Sequence, residues 1–282
     1  MAGAVVQNAS GQYLLYAIGG SNDNKPALKR VEAYNVAIDK WFSKADLPLY
    51  RSEASAATLG GKIYVVGGRN LNQNPTRTLF VYDPAMNAWA QKASLPVTST
   101  GFSTGVIGGK LYVLTPWSGS GDRLYRYNPT TNAWKRLPDA PHLHWEGIGG
   151  VINGKFYVAW GISDAVDVFD PVANRWTTAS PETCPFNSPD DCSIHRAGGT
   201  VFRNQLWVIG GKNDDETSSL ARAYDPTTSS WTRKALMHYE RERRPVVGTV
   251  KNAAGQSRIV VVGGFSGGTP DGLLSATEMY TP

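Results

Sequence analysis

The sequence predicts an all-β protein made of repeated units of short strands, and three observations support this. Charged residues are only 18% of the 282 residues. Aromatic residues reach 11% and glycine occurs 30 times, as expected where short strands need glycine turns and aromatic side chains on pleated faces. Tryptophan also recurs at nearly regular distances along the chain, which indicates a repeat architecture. The recurring residues are Trp41, Trp89, Trp134, Trp176 and Trp231.

Each unit carries its signals in the same order. An apolar run closes on a diglycine such as Gly67-Gly68, an aromatic residue with a polar neighbour such as Tyr82-Asp83 follows, and then the tryptophan comes. Six units of about 47 residues can be read in this way. The diglycine is altered to Thr115-Pro116 in the third unit and to Trp160-Gly161 in the fourth. The sixth unit reaches Tyr280 and has no tryptophan after it.

The second unit predicts four antiparallel strands. Strand a covers 54–59 and strand b covers 62–66, with Gly60-Gly61 as the hairpin turn between them. Strand c covers 79–82, and strand d begins at Trp89 after a turn that contains proline and asparagine. Four strands in a unit of this length are typical of one blade of a β-propeller.

The order of diglycine, Tyr-Asp and Trp resembles the kelch repeat over nearly the whole chain. The resemblance implies a single domain, a six-bladed kelch-type β-propeller with four-stranded blades around an axial channel. The blades are predicted at 1–48, 49–96, 97–138, 139–180, 195–236 and 237–282, with 181–194 as an inserted loop. The last blade lacks its outer strand, so we expect either a supplying segment in a longer natural chain or an open sheet edge.

Composition also limits the partners and the compartment. No apolar run of about 18 residues occurs, so no membrane insertion is predicted. The formal net charge of +5 is spread along the chain, which argues against a nucleic acid partner. The only two cysteines, Cys184 and Cys192, are predicted to form a disulfide that closes a short loop. That bridge would indicate a periplasmic or extracellular protein, whereas free thiols would leave a cytoplasmic location open.

The loops predict which face of the propeller carries function. The a–b and c–d turns are tight, whereas the b–c loops and d–a connections are long and varied, and in kelch propellers their face usually binds partners. Trp117, Trp145 and Trp160 lie off the repeat position on this face. They predict an aromatic shelf for a sugar ring or for an apolar anchor of a protein. The alternative is that they fill the channel or pack under a loop.

Charged and imidazole side chains are predicted at the same channel mouth. Glu53, Glu146 and Arg196 share one register, eight residues before the a–b turn position. In kelch propellers of the substrate-adaptor type, arginine and serine in this register bind acidic peptides, but here the charges alternate in sign. Mutual pairing of the rim is the alternative. The remaining candidate ligand-binding residues lie beside this register or in the d–a connections, and they are Arg51, His142, His144, His195 and Arg244.

These residues predict a non-catalytic recognition module that binds a protein or carbohydrate ligand at the channel mouth. The alternatives are a kelch-type enzyme that acts on a sugar, mutarotase-like or metal-dependent, and an interaction domain of a larger assembly protein. Because no recognisable motif supports the histidines as a metal site, no metal or cofactor is predicted.

Overall fold

The protein is described by a computed structural model that covers residues 1–22, 24–116, 121–161, 163–180, 194–212, 217–266 and 276–280. All regular structure in these ranges is β-strand, arranged in six antiparallel sheets. Trp117, Cys184 and Cys192 lie outside the described residues. In the described part of the chain, no helix is long and apolar enough to span a membrane.

The strands follow the chain from the inner to the outer edge of each blade. Blade 1 contains β1 (Ala2–Gln7), β2 (Tyr13–Ile18), β3 (Val31–Asn35) and β4 (Lys40–Ser43). Blade 2 contains β5 (Ser55–Leu59), β6 (Lys62–Val66), β7 (Leu79–Asp83) and β8 (Ala88–Lys92). Blade 3 contains β9 (Ser103–Ile107), β10 (Lys110–Thr115), β11 (Arg123–Asn128) and β12 (Ala133–Arg136).

Blade 4 contains β13 (Ile148–Ile152), β14 (Lys155–Ala159), β15 (Val166–Asp170) and β16 (Arg175–Ser180). Blade 5 contains β17 (Gly198–Phe202), β18 (Gln205–Ile209), β19 (Ala221–Asp225) and β20 (Ser230–Arg233). Blade 6 has three described strands, β21 (Val246–Lys251), β22 (Ser257–Val262) and β23 (Thr277–Tyr280). The predicted six-bladed β-propeller is confirmed, including the missing outer strand of the last blade.

The inner strands form a closed ring. Each inner strand contacts the inner strand of the next blade, and β21 of blade 6 contacts β1 of blade 1. The backbones approach closely here, as Gly248 illustrates. A Cβ atom at Gly248 would lie 2.5 Å from Val5 Cγ2 and 2.6 Å from Leu15 Cδ1. Glycine at this position therefore allows blades 6 and 1 to close the ring.

The hydrophobic core is divided among the interfaces between blades. Apolar side chains of blades 1 and 2 form one cluster, and similar clusters fill the following interfaces around the ring. Leu15, Tyr34, Val246 and Val260 belong to the cluster between blades 6 and 1. Because every blade packs both of its faces against neighbours, central strands such as β6, β7 and β10 are almost continuously buried.

Candidate functional site

The axial channel opens into a polar pocket on the face formed by the b–c and d–a loops. The channel cavity has a volume of about 160 Å³ and is lined by the first residues of inner strands from all six blades. The pocket at its mouth, called here the mouth pocket, has a volume of about 380 Å³. Its principal polar lining residues are Asn22, Ser52, Glu53, Gln73, Glu146, Arg196, Arg243 and Arg244.

One backbone conformation places the charged side chains at this mouth. Glu53, Glu146, Arg196 and Arg244 have φ angles of 52°, 61°, 58° and 58°, in the left-handed region. Each residue lies two positions before the inner strand of its blade. Non-glycine residues seldom adopt this conformation, which costs about 1–2 kcal/mol each. The register predicted from sequence therefore corresponds to one strained backbone position, two residues before the inner strand, that is repeated in four blades.

Ion pairs neutralise the charged side chains of the mouth pocket only in part. Arg69 Nε in blade 2 lies 2.7 Å from Glu53 Oε2. Arg196 Nε lies 3.4 Å from Glu146 Oε2, and the Glu146 side chain is only 9% exposed. The second contact is long for a hydrogen bond, and Glu146 Oε2 has no hydrogen-bond partner. The alternative of a mutually paired rim thus applies to Glu53 more than to Glu146.

Arg244 reaches across the ring at the boundary between the channel and the mouth pocket. Its Nη2 donates a hydrogen bond of 2.8 Å to the carbonyl oxygen of Phe102. Phe102 belongs to blade 3, which lies opposite blade 6 in the ring of six blades. Burial lowers the pKa of the Arg244 guanidinium, and the carboxylates Glu146 and Glu53 oppose that effect. Its Nη1 is buried and has no hydrogen-bond partner. Arg244 therefore places an incompletely paired cation over the channel.

The indole of Trp145, a residue that leads into blade 4, lies over the corresponding position of blade 3. The left-handed residue of that blade is Gly101, with φ of 72°. A Cβ atom there would lie 2.7 Å from Cδ1 and 2.8 Å from Nε1 of Trp145. The indole of Trp145 therefore covers the slot in which the other blades carry a charged side chain. Trp145 is 41% exposed, but it does not line the mouth pocket.

Trp160 does not form an exposed shelf with Trp145, in contrast to the sequence prediction. Its φ is 64°, as expected for the position of the first glycine in the diglycine, and it is only 1% exposed. Its ring lies 4.9 Å from the ring of Trp231, and the Arg222 guanidinium lies 5.1 Å from the Trp160 ring. The side chain turns into the core between blades 4 and 5, so the alternative of a packing role holds for Trp160.

His142 and His144 are held by one buried carboxylate, Asp167 on β15. Asp167 oxygens lie 3.0 Å from His142 Nδ1 and 3.0 Å from His144 Nε2, and Thr178 Oγ1 donates to Asp167 at 2.9 Å. His144 Nδ1 also lies 3.1 Å from the carbonyl oxygen of Trp160. His144 is 1% exposed and Asp167 is wholly buried. This cluster lies inside blade 4, away from the lining of the mouth pocket.

The two remaining predicted residues, His195 and Arg51, also lie outside the lining of the mouth pocket. His195 forms a backbone bridge with Lys212 and does not line the mouth pocket. Arg51 is 3% exposed, and its Nη2 donates 2.8 Å to Thr78 Oγ1 under the blade 2 loop. Within the described ranges, no three or more His, Cys, Asp or Glu side chains are arranged to hold a metal ion.

The structure thus brings four of the predicted residues, Glu53, Glu146, Arg196 and Arg244, into one pocket. It also adds residues that the sequence interpretation did not select. Arg243 follows from the same register, since it precedes Arg244 and shares its left-handed conformation with φ of 59°. Asn22 and Gln73 come from b–c loops, and no spacing in the sequence could have identified them.

Comparisons with known proteins agree with this architecture. The family model described as "Kelch motif" matches residues 8–48, 50–96 and 194–237, which fall in blades 1, 2 and 5. The matched ranges do not include blades 3 and 4, whose diglycines are altered, or blade 6, whose diglycine is intact. A solved structure titled "Structure of YjhT" superposes with a TM-score of 0.76 and 16% identity, covering 100% of this chain and 94% of that one. At this identity the likeness shows the fold alone.

A curated relative, "Spermatocyte protein spe-26" of Caenorhabditis elegans, is 31% identical over 102 residues. The match covers 36% of this chain and 15% of the relative's length. The fold and its mouth define a six-bladed β-propeller with a charged pocket at one end of the channel. The family match adds that three of the six blades, blades 1, 2 and 5, carry kelch motifs.

Proposed function

We propose that this protein is a recognition module that binds a segment of another protein in the mouth pocket. The observation that carries the proposal is incomplete hydrogen bonding within one charged pocket. Ser52 Oγ, Glu146 Oε2 and Arg244 Nη1 are all buried without a hydrogen-bond partner. Buried polar atoms are nearly always paired in folded proteins. A water or a ligand that enters the mouth would supply the missing partners.

Charge favours a protein ligand over a carbohydrate. The pocket is lined by three arginines and two glutamates, and Glu53 is already paired with Arg69. Such a surface fits a polypeptide loop that carries an acidic side chain together with a hydrogen-bond donor for Glu146. A carbohydrate site would be supported by exposed aromatic rings, and of the described shelf residues only Trp145 is exposed. Kelch propellers commonly bind proteins on this face.

The proposal is tested by probing peptide and glycan arrays with the wild-type protein and with two mouth variants. Arg244→Met removes the cation over the channel, and Glu146→Gln removes the buried carboxylate. We expect binding to a peptide that contains an acidic residue, with affinity reduced about tenfold or more in both variants, as for loss of a charge-assisted hydrogen bond.

A variant on the opposite face serves as the control. Lys251 lines a separate pocket of about 420 Å³ together with Gln7, Tyr13 and Gly255. Lys251→Met removes one positive charge, as Arg244→Met does, and is expected to bind the peptide as the wild type does. Equal affinity in wild type and both mouth variants, or loss of binding in Lys251→Met alone, would contradict the proposal. Binding to glycans and to no peptide would replace the protein ligand with a carbohydrate.

A second candidate is an enzyme that acts on a sugar. Glu53 and Glu146 both line the mouth pocket, and paired carboxylates can act as acid and base when their separation suits the reaction. Any glycan retained on the array would be incubated with wild type and with Glu146→Gln, and followed by NMR. A chemical change that requires Glu146 would support this candidate, and an unchanged glycan would exclude it for that ligand.

A further inference from the structure

A second pocket, called here the blade 2 pocket, lies beside the b–c loop of blade 2. It has a volume of about 550 Å³ and is lined by residues 49–51, 70–72, 76–78 and Thr98. These segments belong to the b–c loop of blade 2 and to the d–a connections before and after this blade. The mouth pocket takes Gln73 from the same loop but shares no lining residue with the blade 2 pocket. The two pockets are therefore separate, and the second is within the size range of ligand sites.

The charge of the blade 2 pocket is wholly positive. Its charged lining residues are Arg51 and Arg77, and no carboxylate of a described residue lines it. Arg77 is exposed. Leu49 and Leu71, which are also exposed, add apolar surface to the lining. In contrast to the mouth pocket with its two glutamates, this pocket fits a ligand that joins an anionic group to an apolar group.

Arg51 is a buried cation without a carboxylate partner among the described residues. Its Nη2 donates 2.8 Å to Thr78 Oγ1, its Nη1 donates to the carbonyl oxygen of Tyr50, and its Nε is buried without a hydrogen-bond partner. The guanidinium lies 5.6 Å from the ring centroid of Phe80. Burial lowers the pKa of Arg51, and no described carboxylate opposes that effect. A buried charge of this kind gains most from a counter-ion.

The equivalent arginine of blade 6 has such a counter-ion. The carbonyl oxygens of Arg51 and Arg241 both accept from the second glycine of the preceding blade's diglycine, at 2.8 and 2.7 Å. Arg241 Nη2 and Nε donate to Glu278 Oε1 at 2.7 and 3.0 Å. Phe80 holds the strand position of Glu278 in blade 2, and Asp167 holds it in blade 4. Blade 2 therefore keeps the buried arginine and has an aromatic ring where the carboxylate would be.

We propose that the blade 2 pocket is a second binding site, which takes a polypeptide segment of a partner that carries an acidic side chain next to a leucine-sized apolar side chain. The carboxylate accepts hydrogen bonds from Arg77 and from Nε of Arg51. The apolar side chain packs against Leu49 and Leu71.

The rim of the pocket favours a polypeptide over a free carboxylic acid. Asn72 and Thr98 line the pocket with exposed side chains. An amide and a hydroxyl group offer both donors and acceptors, which match the backbone C=O and N–H groups of an extended peptide. A small apolar acid has no groups to pair with them. Because the two pockets share no residue, binding here does not depend on the function proposed for the mouth pocket.

The test uses the peptides Ser-Gly-Leu-Glu-Gly-Ser and Ser-Gly-Glu-Leu-Gly-Ser, which present the two side chains in both orders. NMR titration of the isotope-labelled full chain measures affinity and reports the place of binding at the same time. We expect at least one peptide to cause saturable shifts of the amides of residues 70–72 and 76–78. Replacement of glutamate by glutamine in that peptide should weaken binding about tenfold, as for loss of a charge-assisted hydrogen bond.

Two variants at exposed positions test the pocket without disturbing the core. Arg77→Met removes the accessible cation and is expected to weaken peptide binding about tenfold. Leu71→Ser removes part of the apolar surface and is expected to weaken it about fivefold. Lys92→Met removes a positive charge from an exposed position of β8, outside the pocket lining, and should bind the peptide as wild type does.

A third variant tests the missing counter-ion of Arg51. Thr78→Asp places a carboxylate where Thr78 Oγ1 now accepts from Arg51. It is expected to raise the Tm above that of the neutral, similarly shaped Thr78→Asn, because the buried guanidinium gains an opposite charge. It should also bind the acidic peptide more weakly than Thr78→Asn does, since its own carboxylate occupies the site. Equal Tm and equal affinity in the two variants would contradict the role of Arg51.

The place of binding separates this site from the mouth pocket. Shifts confined to residues such as Arg196 and Glu53 would assign the peptide to the mouth and overturn the proposal for blade 2. No shifts in residues 70–78 at millimolar peptide, or wild-type affinity in Arg77→Met, would also overturn it. Titration with 4-methylpentanoate, which joins the same two groups without a backbone, is expected to show weaker binding. Tighter binding of this acid than of either peptide would replace the polypeptide with a small carboxylic acid.

Discussion

Trp160 adopts a backbone conformation that tryptophan rarely adopts, and packing maintains it. The φ angle of 64° costs about 1–2 kcal/mol for a residue with a side chain. Burial against Trp231 opposes this cost, because removal of a buried tryptophan side chain typically costs about 3–5 kcal/mol. We therefore expect Trp160→Gly to lower the free energy of unfolding by about 1–4 kcal/mol, the difference between these terms. Urea denaturation measures this loss. A variant as stable as wild type would mean that the cost of the left-handed backbone equals the stabilisation from burial of the indole.

Asp167 makes stability depend on pH in the acidic range. Burial alone would raise the pKa of Asp167, but hydrogen bonds from His144, Thr178 and His142 overcome it and lower the pKa. A carboxyl group with a lowered pKa in the folded state stabilises the fold above its unfolded pKa of about 3.9. That stabilisation is lost as the pH falls through the lower folded-state pKa.

Replacement of Asp167 tests this dependence. Asp167→Asn leaves the buried His144 and the partly exposed His142 without their carboxylate and is expected to cost about 3 kcal/mol near neutral pH. The difference from wild type should shrink when urea denaturation is repeated below the unfolded pKa. Asp170→Asn on the same strand breaks the solvent-exposed pair with Lys155 and should cost much less than Asp167→Asn. Equal losses in the two variants would contradict the role assigned to Asp167.

At the scale of the element, a tryptophan of one outer strand stabilises the contact with the preceding blade, because Trp89 Nε1 of β8 donates a hydrogen bond of 2.8 Å to the carbonyl oxygen of Ala45, just after β4. Trp89→Phe removes the hydrogen bond to Ala45 and keeps most of the ring packing against Tyr82. We expect a loss of about 1 kcal/mol in the free energy of unfolding. Trp41→Phe makes the same chemical change at an indole that is 37% exposed and that donates no hydrogen bond to a described residue, so it should cost almost nothing. If urea denaturation shows equal losses of unfolding free energy in the two variants, ring packing and not the hydrogen bond accounts for the stabilisation by Trp89.

The strands follow from local pattern, whereas parts of the site do not. β6 spans Lys62–Val66, as predicted, because its apolar residues are buried between blades and glycines bound it. The register of Glu53, Glu146 and Arg196 was also readable, since each precedes its inner strand by the same distance. The direction of Trp160 was not, because it depends on a left-handed backbone and on space next to Trp231.

At the scale of the whole molecule, the ring closes by apolar packing between blades 6 and 1. β21 contacts β1, and Val246, Val260 and Leu15 share one apolar cluster. The other side of blade 6 is tied to blade 5 by apolar contacts such as Tyr280 with Trp207, whose ring centroids are 5.3 Å apart. Blade 6 is therefore held by its inner part, and its outer part has one neighbour fewer than in complete blades.

This difference predicts where the ring opens first. β22 and β18 are both central strands with two paired neighbours and a buried apolar face. Local opening is easier where fewer contacts must break, so amides of β22 should exchange with deuterium faster than those of β18. Mass spectrometry of fragments that cover Ser257–Val262 and Gln205–Ile209 measures both rates. Equal rates would show that inner packing alone determines the stability of a blade.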